Sequence, residues 1–175
     1  MQSLTCPIPE NINPLQSNGF MFGITKLPEV TYFCQEVNIP GVSLPEAVLS
    51  TPFSDVPIPG DKMVYDDLNI TFLIDENMSN YTAVYNWMMA LGFPKSREQY
   101  KVFMASQPAH LSELLKGYSD GTLQVLSSSM NTARAIRFVD MFPTNLSSLQ
   151  LQSTTSDTVY LAGNATFKYN YYEYV

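Results

Sequence analysis

One histidine, two cysteines and two adjacent carboxylate pairs are the groups in this chain with the means for catalysis or metal binding. A Ser–His–Asp or Cys–His device needs its imidazole held in a rigid shell. His110 instead follows Pro108-Ala109 in a polar stretch, which reads as an exposed loop histidine. Neither Cys6 nor Cys34 has a neighbouring cation or helix N-terminus to lower its pKa. No Cys-x-x-Cys or His-x-x-x-His spacing exists for zinc, and two cysteines are too few for a disulfide framework. Asp66-Asp67 reads as one carboxylate on each face of a strand, so the two cannot share a proton or a metal. Asp75-Glu76 precedes a helix without calcium-loop spacing, and its expected role is to face the helix dipole. There is no glycine-rich phosphate loop. The expectation is a non-enzyme without metal or cofactor.

Composition narrows the alternatives. The 175 residues suit one domain with a single core, and 45% hydrophobic residues argue against disorder. Charged residues are 14%, below the roughly 25% usual in soluble domains, so much of the surface is neutral and suited to protein contact. Eleven Tyr, ten Phe, nine Met and one Trp point the same way, because interfaces favour aromatic residues and Met over charge. The net charge of −7 has the wrong sign for gripping phosphates. From Glu10 to Glu76 there are ten acidic residues against two lysines, whereas 95–137 is net basic. Opposed faces of that kind can stack on copies of one another. No run of about 18 apolar residues marks a membrane span, and the opening Met-Gln-Ser-Leu-Thr-Cys-Pro does not read as a signal peptide.

The elements that would carry these groups are mostly strands. Residues 1–19, with Pro7, Pro9 and Pro14, read as an N-terminal arm ahead of a single domain at 20–175. Phe20–Ile24 and Val30–Val37 are short strand candidates. Residues 39–59 hold five prolines, which confines them to extended edge or loop. Alternation from Met63 to Asp75 predicts one long strand. A helix follows at about 79–91, capped by Asn77 or Ser79, with Tyr81, Val84, Tyr85, Met88 and Leu91 on its apolar stripe and Trp87 at the margin. Gly92 is placed for a left-handed cap, with Pro94 beyond it. Residues 95–121 read as a polar insertion with a short helix at 111–116. Then come a hairpin, 122–128 with 133–141, a break at Phe142-Pro143-Thr144-Asn145, and a last strand from Thr158 to Tyr174. The fold class is mainly β (α+β), a β-sandwich or partial barrel with one flanking helix.

Several of these segments resemble the tube-forming proteins of contractile-tail bacteriophages. Gly60-Asp61-Lys62 is similar to the family's glycine–acid–base turn. Tyr65-Asp66-Asp67 and Ile70-Thr71-Phe72-Leu73-Ile74-Asp75-Glu76 resemble its aromatic–acidic step and its strand ending in an acidic pair. Asn80-Tyr81, Ala83 and Trp87 look like its helix, and Pro143-Thr144-Asn145-Leu146 with Leu149-Gln150-Leu151 like its Pro-Thr-Asn turn and following strand. A C-terminal strand rich in aromatics and carrying Glu173 completes the likeness, which covers about 20–93 and 122–175. The resemblance implies six subunits in a ring whose long strands complete a shared inner β-barrel, with rings stacked into a tube that DNA traverses without specific binding. It implies a virion protein made in the host cytoplasm, either tube subunit or baseplate initiator, with sheath, tape-measure and baseplate partners. Asp61, Lys62, Tyr65, Asp66, Asp67, Thr166, Lys168, Asn170 and Tyr172 are the candidates for interface or channel lining. A secreted ring protein of a type VI-like injection system and a carbohydrate-binding module are the competing readings.

Overall fold

The computed structural model describes residues 12–92, 94, 96–106, 117–153 and 160–175. His110, Cys6 and the expected helix at 111–116 lie outside them. The main sheet is antiparallel and seven-stranded, in the order β1-β8-β9-β10-β7-β2 with β11 also on β9. Its strands are β1 (Phe20–Ile24), β2 (Cys34–Val37), β7 (Leu68–Leu73), β8 (Ser119–Leu126), β9 (Thr132–Leu146), β10 (Ala162–Lys168) and β11 (Tyr171–Tyr174). Helices α1 (Pro28–Phe33), α2 (Ser79–Gly92) and α3 (Arg97–Ser106) accompany it. The mainly β expectation holds.

β9 organises the sheet. Its first part pairs with β8 on one side and β11 on the other, and its last part pairs with β10. Ile136 and Phe138 are buried, and beyond Asp140 the buried residues are Met141 and Pro143. The parity changes because Asp140 takes a left-handed φ of 56° and the β8 register slips by one residue there. This is a bulge, and it bends the strand while keeping its apolar side inward. The expected break at Phe142–Asn145 is therefore corrected: the strand continues. β8 begins at Ser119, opposite Met141, so beyond that point β9 has no described partner on the β8 side, an edge setting that admits proline. Gly121, directly on this bend, leaves room for the buried Met141 side chain: a Cβ there would stand 2.3 Å from Met141 Sδ and would force that side chain to move.

The other corrections have equally local causes. The strand expected at Val30–Val37 is a helix up to Phe33, because Pro28 opens the first turn with Glu29 beside it. The long strand expected at 63–75 is two strands. β6 (Val64–Tyr65) leaves the main sheet to pair with β3 (Val42–Ser43), and only β7 stays. The C-terminal strand divides at Tyr169-Asn170, where Asn170 N–H donates to Val139 O at 3.0 Å. After this step Tyr172, not Tyr171, turns toward the core. In the polar stretch after 95 the structure adds α3, whose Phe103 packs on the core.

α2 occupies the expected residues but is rotated from the expected stripe. Its buried positions are Asn80, Val84, Trp87 and Ala90; Tyr81 and Met88 are partly buried and Tyr85 is 49% exposed. Trp87, expected at the margin, is 2% exposed. Gly92 does not take a left-handed conformation. The helix is capped from Asp75: one carboxylate oxygen accepts from Ser79 Oγ–H, the other from Asn80 N–H at 3.2 Å. Asn80 Nδ2 donates to Leu73 O at 2.7 Å, and its Oδ1 accepts from Tyr81 N–H at 2.8 Å. Helix and β7 are thus riveted together.

That cap predicts a pH dependence. The Ser79 hydroxyl, followed by backbone N–H groups, holds the Asp75 carboxyl below its ordinary pKa. The unfolded chain binds this proton more tightly, so the stabilisation is present above the ordinary carboxylate range and is lost as pH falls through the folded value. The urea midpoint of Asp75→Asn should lie below wild type at pH 6, and the gap should narrow by pH 3. A constant gap would refute the role.

Candidate assembly surface

Among the described residues there is no group of three His, Cys, Asp or Glu placed to hold a metal. Cys34 is a free thiol, and burial pushes its pKa up to about 11, which leaves it unreactive. The surface that stands out is built by residues 39–66 and the C-terminal strand they lean on.

β4 (Glu46–Ser50) and β5 (Asp55–Pro59) form a two-stranded arm paired only with each other. All ten of their residues are exposed. The five prolines at 39–59 kept this segment out of the main sheet, as the sequence indicated. Register puts Ala47 and Leu49 opposite Ile58 and Val56, which makes one face of the ribbon wholly apolar. Phe53 at the tip is 99% exposed. An isolated hairpin of this length is marginal in water, and a contiguous apolar surface on it marks a contact site. Low charge and abundant aromatics signalled an interface in the sequence, but nothing there fixed which segment carries it.

The arm is anchored by tyrosines. Tyr172 Oη–H donates to Pro40 O at 3.4 Å and Tyr169 Oη–H donates to Asp66 O at 2.9 Å. Tyr65 on β6 meets Tyr169 and Tyr172 edge-on, with centroids 5.9 and 5.5 Å away, and Phe138 packs behind both. Burial first, then neighbouring phenol and carboxyl groups, raises the pKa of Tyr169, so it remains a hydrogen-bond donor. Sequence pairing alone did not reveal Tyr169 as an anchor, because its partner is a backbone carbonyl 103 residues away.

The candidate residues fall into three places. Tyr65, Asp66, Asp67, Lys168 and Tyr172 converge on the anchor, where Lys168 makes an ion pair with Asp67 and Asp66 N–H donates to Gly41 O at 3.0 Å. Asp66 and Asp67 do not alternate on a strand as expected; they form the step between β6 and β7. Thr166 lies on β10, its Oγ1–H donating to Asn69 Oδ1 at 2.9 Å, and exposed Asn170 sits in the gap before β11. Asp61 and Lys62 are exposed at the root of the arm. Elsewhere Arg137 bonds Asp120 at 2.7 Å with Glu173 at 3.9 Å, an exposed ion-pair network on the sheet.

This fold is shared by components of contractile injection machines. The anti-feeding prophage tube terminating cap superposes with a TM-score of 0.61 at 12% identity, covering 100% of this chain and 99% of that one. A chain of the anti-feeding prophage baseplate gives 0.61 at 10%, covering 93% and 96%. The chain itself belongs to the phage tail tube protein family, whose model matches residues 4–175. The tail tube terminator protein of Enterobacteria phage T4 is 25% identical over 147 residues, 82% of this chain and 77% of that protein. The sequence resemblance to tail tube proteins is thereby borne out. Among the described residues no helix is long and apolar enough to cross a membrane.

Proposed function

We propose that this chain is a structural virion protein that forms a hexameric ring of a contractile phage tail tube, and that its place is the terminating ring. The observation that carries the ring reading is the apolar arm, projected from an open sheet and covered by nothing in its own described chain. Sheet ends and an uncovered ribbon are aggregation hazards for a lone domain, and closure against identical copies removes them. The terminal position is favoured by the T4 tail tube terminator as curated relative, over tube subunit or baseplate initiator. Self-contacts come first in this reading; sheath, tape-measure and baseplate are the neighbouring partners, and DNA passes without being gripped.

Negative-stain microscopy of the purified protein, with gold-labelled particles, tests the proposal. Six-fold rings and label confined to the head-proximal end of the tube are expected. Label along the tube would make it the tube subunit, and label at the baseplate the initiator. Rings without any tail partner would favour the type VI-like reading. A monomer stabilised by sugar would favour the carbohydrate-binding module.

An acidic channel wall repels phosphate and prevents adhesion. Asp61 and Asp66 are exposed and are our candidates for that wall. Asp61→Lys with Asp66→Lys should slow DNA ejection several-fold in assembled particles. Unchanged ejection from intact mutant particles would remove these residues from the channel.

A further inference from the structure

The two edges of the arm are not equivalent. Thr51 N–H donates to Ser54 O at 3.1 Å and Gly60 N–H donates to Pro45 O at 2.8 Å, bracketing a ladder of constant register between them. Narrow and wide pairs alternate along an antiparallel ladder. Ala47, Leu49, Val56 and Ile58 therefore direct their backbone groups inward, across the hairpin. Glu46, Val48 and Ser50 turn theirs outward on β4, as do Asp55, Pro57 and Pro59 on β5. Two of the three outward positions of β5 are prolines and have no N–H. That edge is blocked against strand addition. The β4 edge keeps all its donors and acceptors.

The main sheet ends in two strands of different quality. β2 has a register shift between Cys34 and Glu36, and Glu36 accepts from Thr71 Oγ1–H at 3.3 Å. β1 is regular, has no proline and no charge, and matches β4 at five residues. Bonds from Leu126 N–H to Gly19 O at 2.9 Å and from Thr25 N–H to Asp120 O at 3.0 Å bracket its ladder. Phe20, Phe22 and Ile24 consequently face outward with their backbone groups. Among the described residues only the Ile24 carbonyl is used, by Leu27 N–H at 3.1 Å, and no described strand pairs on that side.

We propose that the β4 edge is the strand-adding edge of the arm, and that its occupant is the β1 edge of a second copy of this chain. Two different edges on each copy make the contact heterologous, the form that closes into rings. The inference rests on the ring reading above and adds which edges meet and that β5 is excluded.

The test uses variants of the full chain. Val48→Pro places opposite Pro57 the same outward-facing block that β5 already carries, at a position that costs the hairpin no hydrogen bond. It should raise the concentration needed for rings at least tenfold, with the thermal midpoint of the monomer preserved. Pro57→Val should form rings as wild type does. Added antiparallel, as every described strand pair of this subunit is, β1 sets inward-bonded Met21 directly opposite inward-bonded Leu49 on the same face. In a Cys6→Ser, Cys34→Ser background, Met21→Cys with Leu49→Cys should therefore oxidise to covalent ladders of up to six subunits, and neither cysteine alone should. Rings from Val48→Pro at wild-type concentration, dimers from Leu49→Cys alone, or rings whose Met21→Cys, Leu49→Cys form never crosslinks would each overturn the edge assignment while leaving the ring reading intact. A wild-type protein that makes no rings would sink the ring reading itself.

Discussion

Trp87→Ala should lower the unfolding free energy by about 3–5 kcal/mol, the usual cost of emptying a large aromatic site in a core. The indole is almost fully enclosed and joins three parts of the molecule. Its ring lies 6.1 Å from that of Phe167 on β10, the strand held between β7 and β9. Lys26 Nζ, from the turn between β1 and α1, stands 5.5 Å above it. Its Nε1–H donates to Gly117 O at 3.0 Å, fixing the chain just before β8. Trp87→Phe would keep most of the packing but leave that carbonyl without its donor, at a cost of about 1–3 kcal/mol. Urea unfolding of wild type and both variants should give that order. A loss below about 1 kcal/mol for Trp87→Ala, which cavity formation does not permit at a site that cannot collapse, would mean that α2 is not part of the core.

How much of this was legible in the sequence depended on whether the deciding contact was local. The boundaries of α2 were readable because a polar start, an apolar period and Gly92-Phe93-Pro94 lie side by side in the chain. Its rotation was not, because counting apolar residues favours Tyr85 and passes over Asn80, whose burial is made affordable by Leu73 O and Tyr81 N–H. Alternation from Met63 to Asp75 was real, yet the strand breaks at Asp66-Asp67. The reasons sit elsewhere: Lys168 holds Asp67, Tyr169 holds the Asp66 carbonyl, and Gly41 receives the Asp66 N–H. Proline suggested a break at Pro143, but the position is an edge because β8, a strand from another part of the chain, starts only opposite Met141, and the register slips there against β10. The family resemblance was legible because it rests on short segments in order. The arm was legible only as something outside the central sheet. Its apolar face depends on register, and five prolines constrain where a strand can pair without saying with what.

Gly60→Ala should abolish or strongly weaken assembly while sparing the fold of the subunit, and that separation is what makes it the sharper test of function. A Cβ at position 60 would stand 2.3 Å from the Pro45 carbonyl oxygen and 3.2 Å from its carbon. Both are backbone atoms and cannot swing aside as a side chain would. The same two residues close the root of the arm through the bond from Gly60 N–H to Pro45 O. The methyl group must therefore push β4 and β5 apart where they leave the body. Because those strands pair with nothing else in the described chain, the core around Phe138, Phe167 and Trp87 has no reason to respond. Thermal unfolding should shift by no more than a few degrees, the size expected for a change of about 1 kcal/mol or less. The concentration at which rings appear should rise at least tenfold, equivalent to about 1.4 kcal/mol of lost association energy per contact measured. Gly92→Ala is the matched control: a Cβ there meets nothing within 4 Å, so it should leave assembly unchanged and help the helix end slightly. If Gly60→Ala assembles at wild-type concentration, the arm's geometry is irrelevant to association. If it unfolds the whole domain, the arm is part of the core rather than an appendage. Either result contradicts a subunit whose body is complete and whose apolar arm waits for a neighbour.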